Sequence, residues 1–281
     1  MTRSLLTKLQ TFKAGMELLP PMVEGIHRAI SESRVASLLS DPRYADPKCL
    51  PPHRFKLFSQ SGQDGIIAEI FHRIGEGKRR FVEIGTAPLE NNTGFLLFQG
   101  WSGLWLDAAL PPDDALPGNL DLLLASGKLR CGRPFVTRSN ICSIIAEHGF
   151  DADIDFLSVD VDYNTFPIFD ACLPLRPRAI CVEYNGQLPP YLDWVAPYVE
   201  QAVWDGTFAY GASLKALENK AREAGYSLVG CELCGSDAFF VRNDLVGEHF
   251  LAPYTAEQHW EPLRMGLDAP TGHAPAYPPQ G

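Results

Sequence analysis

The chain has 281 residues, 46% of them hydrophobic, with a formal net charge of −10; that is enough apolar content for one large α/β domain or two small ones. The negative balance repels a phosphate backbone and the 24 Lys and Arg residues are scattered, so nucleic acid and anionic membrane are excluded as expected partners, leaving small molecules or other proteins. Seven cysteines, an odd number spread over the chain, suit a reducing, cytoplasmic setting better than a disulfide framework, and no run approaches the roughly 18 apolar residues of a membrane span.

Residues 1–57 read as a helical arm and linker. Leu5, Leu6, Leu9 and Phe12 fall at helical spacing, and Pro20 and Pro21 break the pattern into two expected short helices. The arm packs either on the main domain or on a second subunit, which makes a homodimer one option. Residues 41–57, punctuated by proline, read as a linker.

From Ser59 helices alternate with short β-rich runs. Ile67, Ile70, Phe71 and Ile74 form one helical face, and Gly75 is the stop. Strands are expected at 80–85, 103–108, 133–138, 155–160 and 178–184, nearly continuous apolar runs of the kind covered on both faces in a parallel sheet. Near the end, Ser213 caps a helix stopped by Gly225. The runs "YSLVGCEL" and "DAFFVR" around "CGS" then form a hairpin. The expectation is a Rossmann-like, doubly wound, mostly parallel seven-stranded sheet with an antiparallel last strand over 58–250, followed by a proline-rich tail, 251–281, that is an irregular wrap or partly disordered.

In such a sheet a ligand lies outside the carboxyl ends of the strands, so the polar residues there carry the candidate chemistry. "FVEIGTAPLENN" opens like a nucleotide turn at Gly85 and Thr86 but has no second glycine. It cannot make the G-x-G-x-x-G cradle that a flavin or nicotinamide pyrophosphate wants. Glu83 either reaches a cofactor amino group, orders the turn or sits in a structural ion pair. Asp107, roughly 20 residues on, suits a ribose diol or caps a turn. Asn140 is either a helix N-cap or an adenine-side contact. Asp160 and Asp162 share a side of an extended segment and with Glu183 form an oxygen-ligand set suited to magnesium; the plainer alternative is one carboxylate near a cofactor and one capping a turn. Cys231 and Cys234 have a metal-like spacing without a second pair, and read as structural.

Taken together, "FSQSGQDGIIAEIF", "RFVEIG", "ENNTGFLL", "QGWSGLWLDA", "DFLSVDVDYN", "AICVEYN", "VWDGTFAYGASLKAL" and "LVGCELCGSDAFFVRNDL" resemble the FkbM-like group of class I methyltransferases, from about Phe58 to Leu245. The resemblance implies S-adenosylmethionine as cofactor and methylation of a hydroxyl on a small molecule, a sugar or secondary metabolite. It places Ser59, Gln60 and Asp64 beside the methionine end, Glu83 and Gly85 in the first motif, Asp107 on the ribose and Asp160 closing the pocket. The departure lies at Thr86, Ala87, Pro88 and Leu89, where the family has Asp-Gly before "NNT". Asp160, Asp162 and Glu183 are candidate general bases or magnesium ligands, and Tyr163, Asn185, Asp205 and Tyr210 are expected around the acceptor. Two other readings stand: a cofactor-free binding or scaffold protein on a degenerate methyltransferase fold, and a metal-dependent, non-methylating enzyme.

Overall fold

The computed structural model describes residues 2–117, 119–150, 152–269 and 277. Helix α1 runs without interruption over Thr2–Leu39 with Pro20 and Pro21 inside it, correcting the expected pair of short helices. Proline's fixed φ is compatible with a helix; what each one removes is a hydrogen bond to the preceding turn, at a cost of about 3 kcal/mol in an interior. The C-terminal end of α1 is anchored, with Val35, Leu38 and Leu39 against Tyr44, Leu233 and Leu267. The 41–57 segment is packed instead of spanning free space. Its two 3-10 turns, Pro42–Tyr44 and Pro51–His53, are flanked by buried Tyr44, Cys49 and Leu50.

The remaining elements follow in chain order: α2 (Gln63–Ile74), β1 (Arg80–Ile84), α3 (Gly94–Phe98), β2 (Ser102–Leu106), α4 (Leu120–Ala125), β3 (Leu129–Gly132), α5 (Ile141–Glu147), β4 (Phe156–Val159), α6 (Thr165–Cys172), β5 (Ala179–Glu183), α7 (Leu214–Glu223), β6 (Tyr226–Cys231), β7 (Asp237–Arg242), α8 (Asn243–Val246) and α9 (Ala256–His259). Helix α2 buries Ile66, Ile67, Ile70 and Phe71 and stops at Gly75, whose φ of +73° suits glycine. Ser213 caps α7 by accepting from the Ala216 N–H at 3.2 Å.

Among the described residues, seven strands form one sheet in the order β3-β2-β1-β4-β5-β7-β6. Strands β3, β2, β1, β4 and β5 are parallel, and β7 runs antiparallel between β5 and β6. This is an α/β Rossmann-like fold. Alternate residues of each strand feed two cores: Val82, Leu104, Leu157 and Ile180 on one face, and Phe81, Trp105, Phe156 and Cys181 on the other. Residues 133–138 are not a strand. The third strand lies at 129–132 and is followed at once by a loop, because Pro134 has no N–H to continue a ladder.

From β1 the chain crosses to β2 on one side and, later, to β4 on the other. The order reverses between β1 and β4, and a crevice opens at their carboxyl ends. The tail wraps the body as far as it is described. Tyr184 Oη donates to Glu261 O at 2.6 Å, Arg54 pairs with Asp268 at 2.5 Å, and Tyr277 stacks on Phe58 with ring centroids 4.8 Å apart. Residues 270–276 and 278–281, within the expected disordered stretch, lie outside the described residues. Among the described residues, no helix is long and apolar enough to cross a membrane.

Candidate functional site

The cleft begins at Gly85, where φ is +78° and an added Cβ would overlap the backbone carbonyl of Asp160. Its N–H donates to Leu106 O at 2.9 Å while Asp160 N–H donates to Ile84 O at 2.9 Å, so the ends of β1, β2 and β4 are knitted edge to edge. Only glycine permits that approach.

Two lobes share Gly85, Asp107, Asp160 and Asp162. One, about 670 Å³ of empty space, is walled by Leu106, Phe135, Val136, Val203 and Trp204. The other, about 1090 Å³, is polar and includes Gln60, Thr86, Asn92, Glu183 and Asp237. Among the described residues, no Lys, Arg or His lines either lobe.

Carboxyl groups converge here. Oxygens of Asp160, Asp162 and Glu183 lie within 4.8 Å of one another, and Asp237 faces Glu183 across the antiparallel β5–β7 pair. With no basic side chain among the described lining residues to offset them, burial and mutual repulsion push the group toward the protonated state. Burial, followed by the charge of Asp237, raises Asp160 to about 7, against a hydrogen bond with Glu183 that lowers it. Burial and then the charge of Asp160 hold Glu183 well above the carboxylate range. Asp162 is raised by burial and by Asp107. Asp160 and Glu183 therefore form a coupled pair whose protonated forms are favoured by burial and mutual repulsion. The donor set is three hard oxygens, which fits a magnesium ion or an organic cation equally well.

Glu83 is fully buried and raised to about 8 by desolvation, although the Asn92 N–H (2.7 Å), the Thr93 hydroxyl and the Thr93 N–H all donate to it. It orders the segment after the turn, and Trp105 Nε1 donates to the same Thr93 hydroxyl at 2.8 Å; among the described residues Glu83 forms no ion pair. Asp107 caps its own turn, accepting from Ala109 N–H at 2.6 Å and Thr86 N–H at 3.2 Å, while remaining on the cleft wall.

Other expected site residues are brought near the cleft or set behind it. Gln60 and Thr86 line the polar lobe. Ser59 and Asp64 do not line it: one carboxylate oxygen of Asp64 accepts from the N–H groups of Leu57, Phe58 and Ser59 and from the Ser59 hydroxyl, at 2.7 to 2.9 Å. Asn140 stands at the N-cap position of α5 without capping it. Its side chain ties the preceding loop, accepting from Thr137 N–H at 2.7 Å and donating to Phe135 O at 3.0 Å. Asn185 is buried and donates to Phe208 O at 2.6 Å. Tyr163 Oη donates to Pro197 O, and the exposed Asp205 accepts from Thr207. Tyr210 feels the acids: burial, then the charges of Glu183 and Asp160, raise its pKa.

Sequence reading missed Asp237, which accepts from Gln63 Nε2 at 2.7 Å, and the apolar wall residues Phe135 and Val203. The signal for Asp237 was present, as the first residue of a strand returning beside the end of β5. Its register with Glu183 was not legible. Cys231 and Cys234 are buried and unpaired with each other, and Cys234 Sγ lies within 4.8 Å of carboxylate oxygens of Glu232 and Asp268. No family model matches the chain, and no curated protein is significantly similar to it.

Proposed function

We propose that this protein is an S-adenosylmethionine-dependent O-methyltransferase acting on a hydroxyl of a small molecule. The observation that carries the reading is the switch-point cleft itself, lined by Asp107, Asp160, Asp162, Glu183 and Asp237 and, among the described residues, by no basic side chain. A phosphate-bearing cofactor is repelled there, and a cationic one is attracted. The antiparallel β7 and the motif order from Phe58 to Leu245 support the same assignment.

The cofactor, when bound, supplies a methyl group already attached to a good leaving group. In this reading Asp107 and the apolar wall of Phe135, Val136 and Trp204 hold its nucleoside end, and the polar lobe of Gln60, Thr86 and Asn92 holds the amino-acid end. Asp160, backed by Glu183, takes the acceptor's hydroxyl proton. A base with a pKa near the working pH suits that transfer, which contributes roughly 10²- to 10⁴-fold. Alignment of acceptor and methyl supplies much of the rest. The acceptor meets the methyl group at the Asp160 and Asp162 stretch that the two lobes share.

A second reading rests on the same three oxygens within 4.8 Å. Asp160, Asp162 and Glu183 would hold magnesium, which would supply positive charge to lower an acceptor's pKa. Calorimetric titration with S-adenosylmethionine and S-adenosylhomocysteine, with and without magnesium, separates the two. Micromolar binding of both without metal supports the methyltransferase reading. Binding of magnesium alone favours the metal-dependent enzyme, and no binding of any of them favours a scaffold.

A further inference from the structure

The amino-terminal helix carries a periodicity that the cleft does not use. Leu9, Met16, Val23 and Ile30 recur every seven residues, and Leu5, Phe12, Leu19 and Ile26 do the same between them. The alternating three- and four-residue spacing is that of the a and d positions of a two-stranded coiled coil. A helix lying on a surface by itself has no need of a 3.5-residue repeat. The helix breakers Gly15, Pro20, Pro21 and Gly25 all fall off the stripe, at g, e, f and c.

From Met16 to Ile30 the structure leaves that stripe open. Met16, Leu19, Val23, Ile26 and Ile30 are each more than half exposed, and every residue from 19 to 30 is exposed except half-buried His27. Ser31 is the first buried side chain among the described ones of the helix, and its hydroxyl donates to Leu267 O. A 38-residue helix is about 57 Å long. Most helical stability in water comes from packing an apolar face, and the part of this one from Met16 to Ile30 stays exposed.

We infer that α1 pairs with α1 of a second copy of this chain, as an antiparallel two-stranded coiled coil. Antiparallel alignment sets every a residue against a d residue of the partner: Leu9 opposite Ile26, Phe12 opposite Val23, Met16 opposite Leu19 and Leu5 opposite Ile30. Parallel alignment instead sets Lys8, at g, against Lys13, at e of the other helix, the charged pair nearest that seam and a like-charge one. An anionic membrane is the poorer occupant. The whole helix carries Arg3, Lys8, Lys13, Arg28 and Arg34 interspersed with Glu17, Glu24 and Glu32, a mixed pattern and not the strongly basic face that such surfaces attract.

Light scattering on the full-length protein at micromolar concentration tests this. The expected mass is twice 31.0 kDa, falling to 31.0 kDa in Val23→Glu/Ile26→Glu, whose body melts unchanged because both side chains are exposed. In a Cys142→Ser background, Leu5→Cys/Ile30→Cys should oxidise to a crosslink joining position 5 of one chain to position 30 of the other. A monomeric wild type, a dimer indifferent to the glutamate pair, or crosslinks of 5 to 5 and 30 to 30 would each overturn the inference. So would a monomer that floats with mixed phosphatidylcholine and phosphatidylserine vesicles.

Discussion

Gly85 and Asp162 set the cleft at the scale of single residues. With φ at +78° and the Asp160 carbonyl where a Cβ would go, Gly85→Ala should cost about 1 to 3 kcal/mol in backbone strain alone. Relief by displacing Asp160 should remove ligand binding as well, which a denaturant titration and a binding titration together can read. Asp162 also has positive φ, +55°, a conformation asparagine tolerates. Asp162→Asn should therefore fold normally and keep cofactor affinity while turnover falls about tenfold or more; unchanged turnover would remove Asp162 from the acceptor side. Both positions were legible in the sequence because a glycine after a strand and a paired-acid segment have local physical meanings. Asp237 was not, because its role depends on a strand register that no local pattern states.

The loop between β1 and α3 shows what an element contributes when its motif is altered. The N–H groups of Thr86, Asn91 and Asn92 are taken by Asp107, Phe58 O and Glu83, and Pro88 has none. Backbone donors that could meet an anion are few, so recognition falls to side-chain carboxylates, consistent with a ligand whose charge is positive. The clamp ahead of α2 is the other structural element on which the cleft depends. Asp64→Ala leaves four donors on 57–59 without their acceptor and should destabilise the protein by about 2 to 4 kcal/mol, measured by chemical denaturation. Sequence pattern located α2, α7, the hairpin and four of the five parallel strands. It failed at β3, where β-prone residues follow a proline that ends the ladder, and at α1, where proline's helical φ outweighed its lost donor. The linker and tail read as loose because their composition shows proline and not the pairing of Arg54 with Glu232 and Asp268 that holds them down.

For the whole molecule, the acidic cleft makes stability depend on pH with a definite sign. Glu83 titrates near 8 and Asp160 near 7 in the folded chain, both above the roughly 4 of an unfolded carboxyl. The native state therefore holds protons that the unfolded state has lost. These groups stabilise fully below about pH 4, and their contribution fades as pH rises through 7 to 8. Melting temperature should rise as pH falls from 8.5 to about 6, and Asp160→Asn should flatten that dependence; a melting temperature indifferent to pH over this window would contradict this picture of protonated carboxyls. A bound cation should have the same stabilising effect at high pH by mass action.

The central claim is that a cation is recognised by carboxyl groups that otherwise hold protons. Calorimetric binding of S-adenosylmethionine at pH 7, repeated in buffers of different ionisation enthalpy, measures it most directly through the protons released. The account predicts net proton release with the sulfonium cofactor, little with neutral-sulfur S-adenosylhomocysteine, and loss of the difference in Asp160→Asn. Equal proton release for the two ligands, or no binding by folded protein, would contradict it.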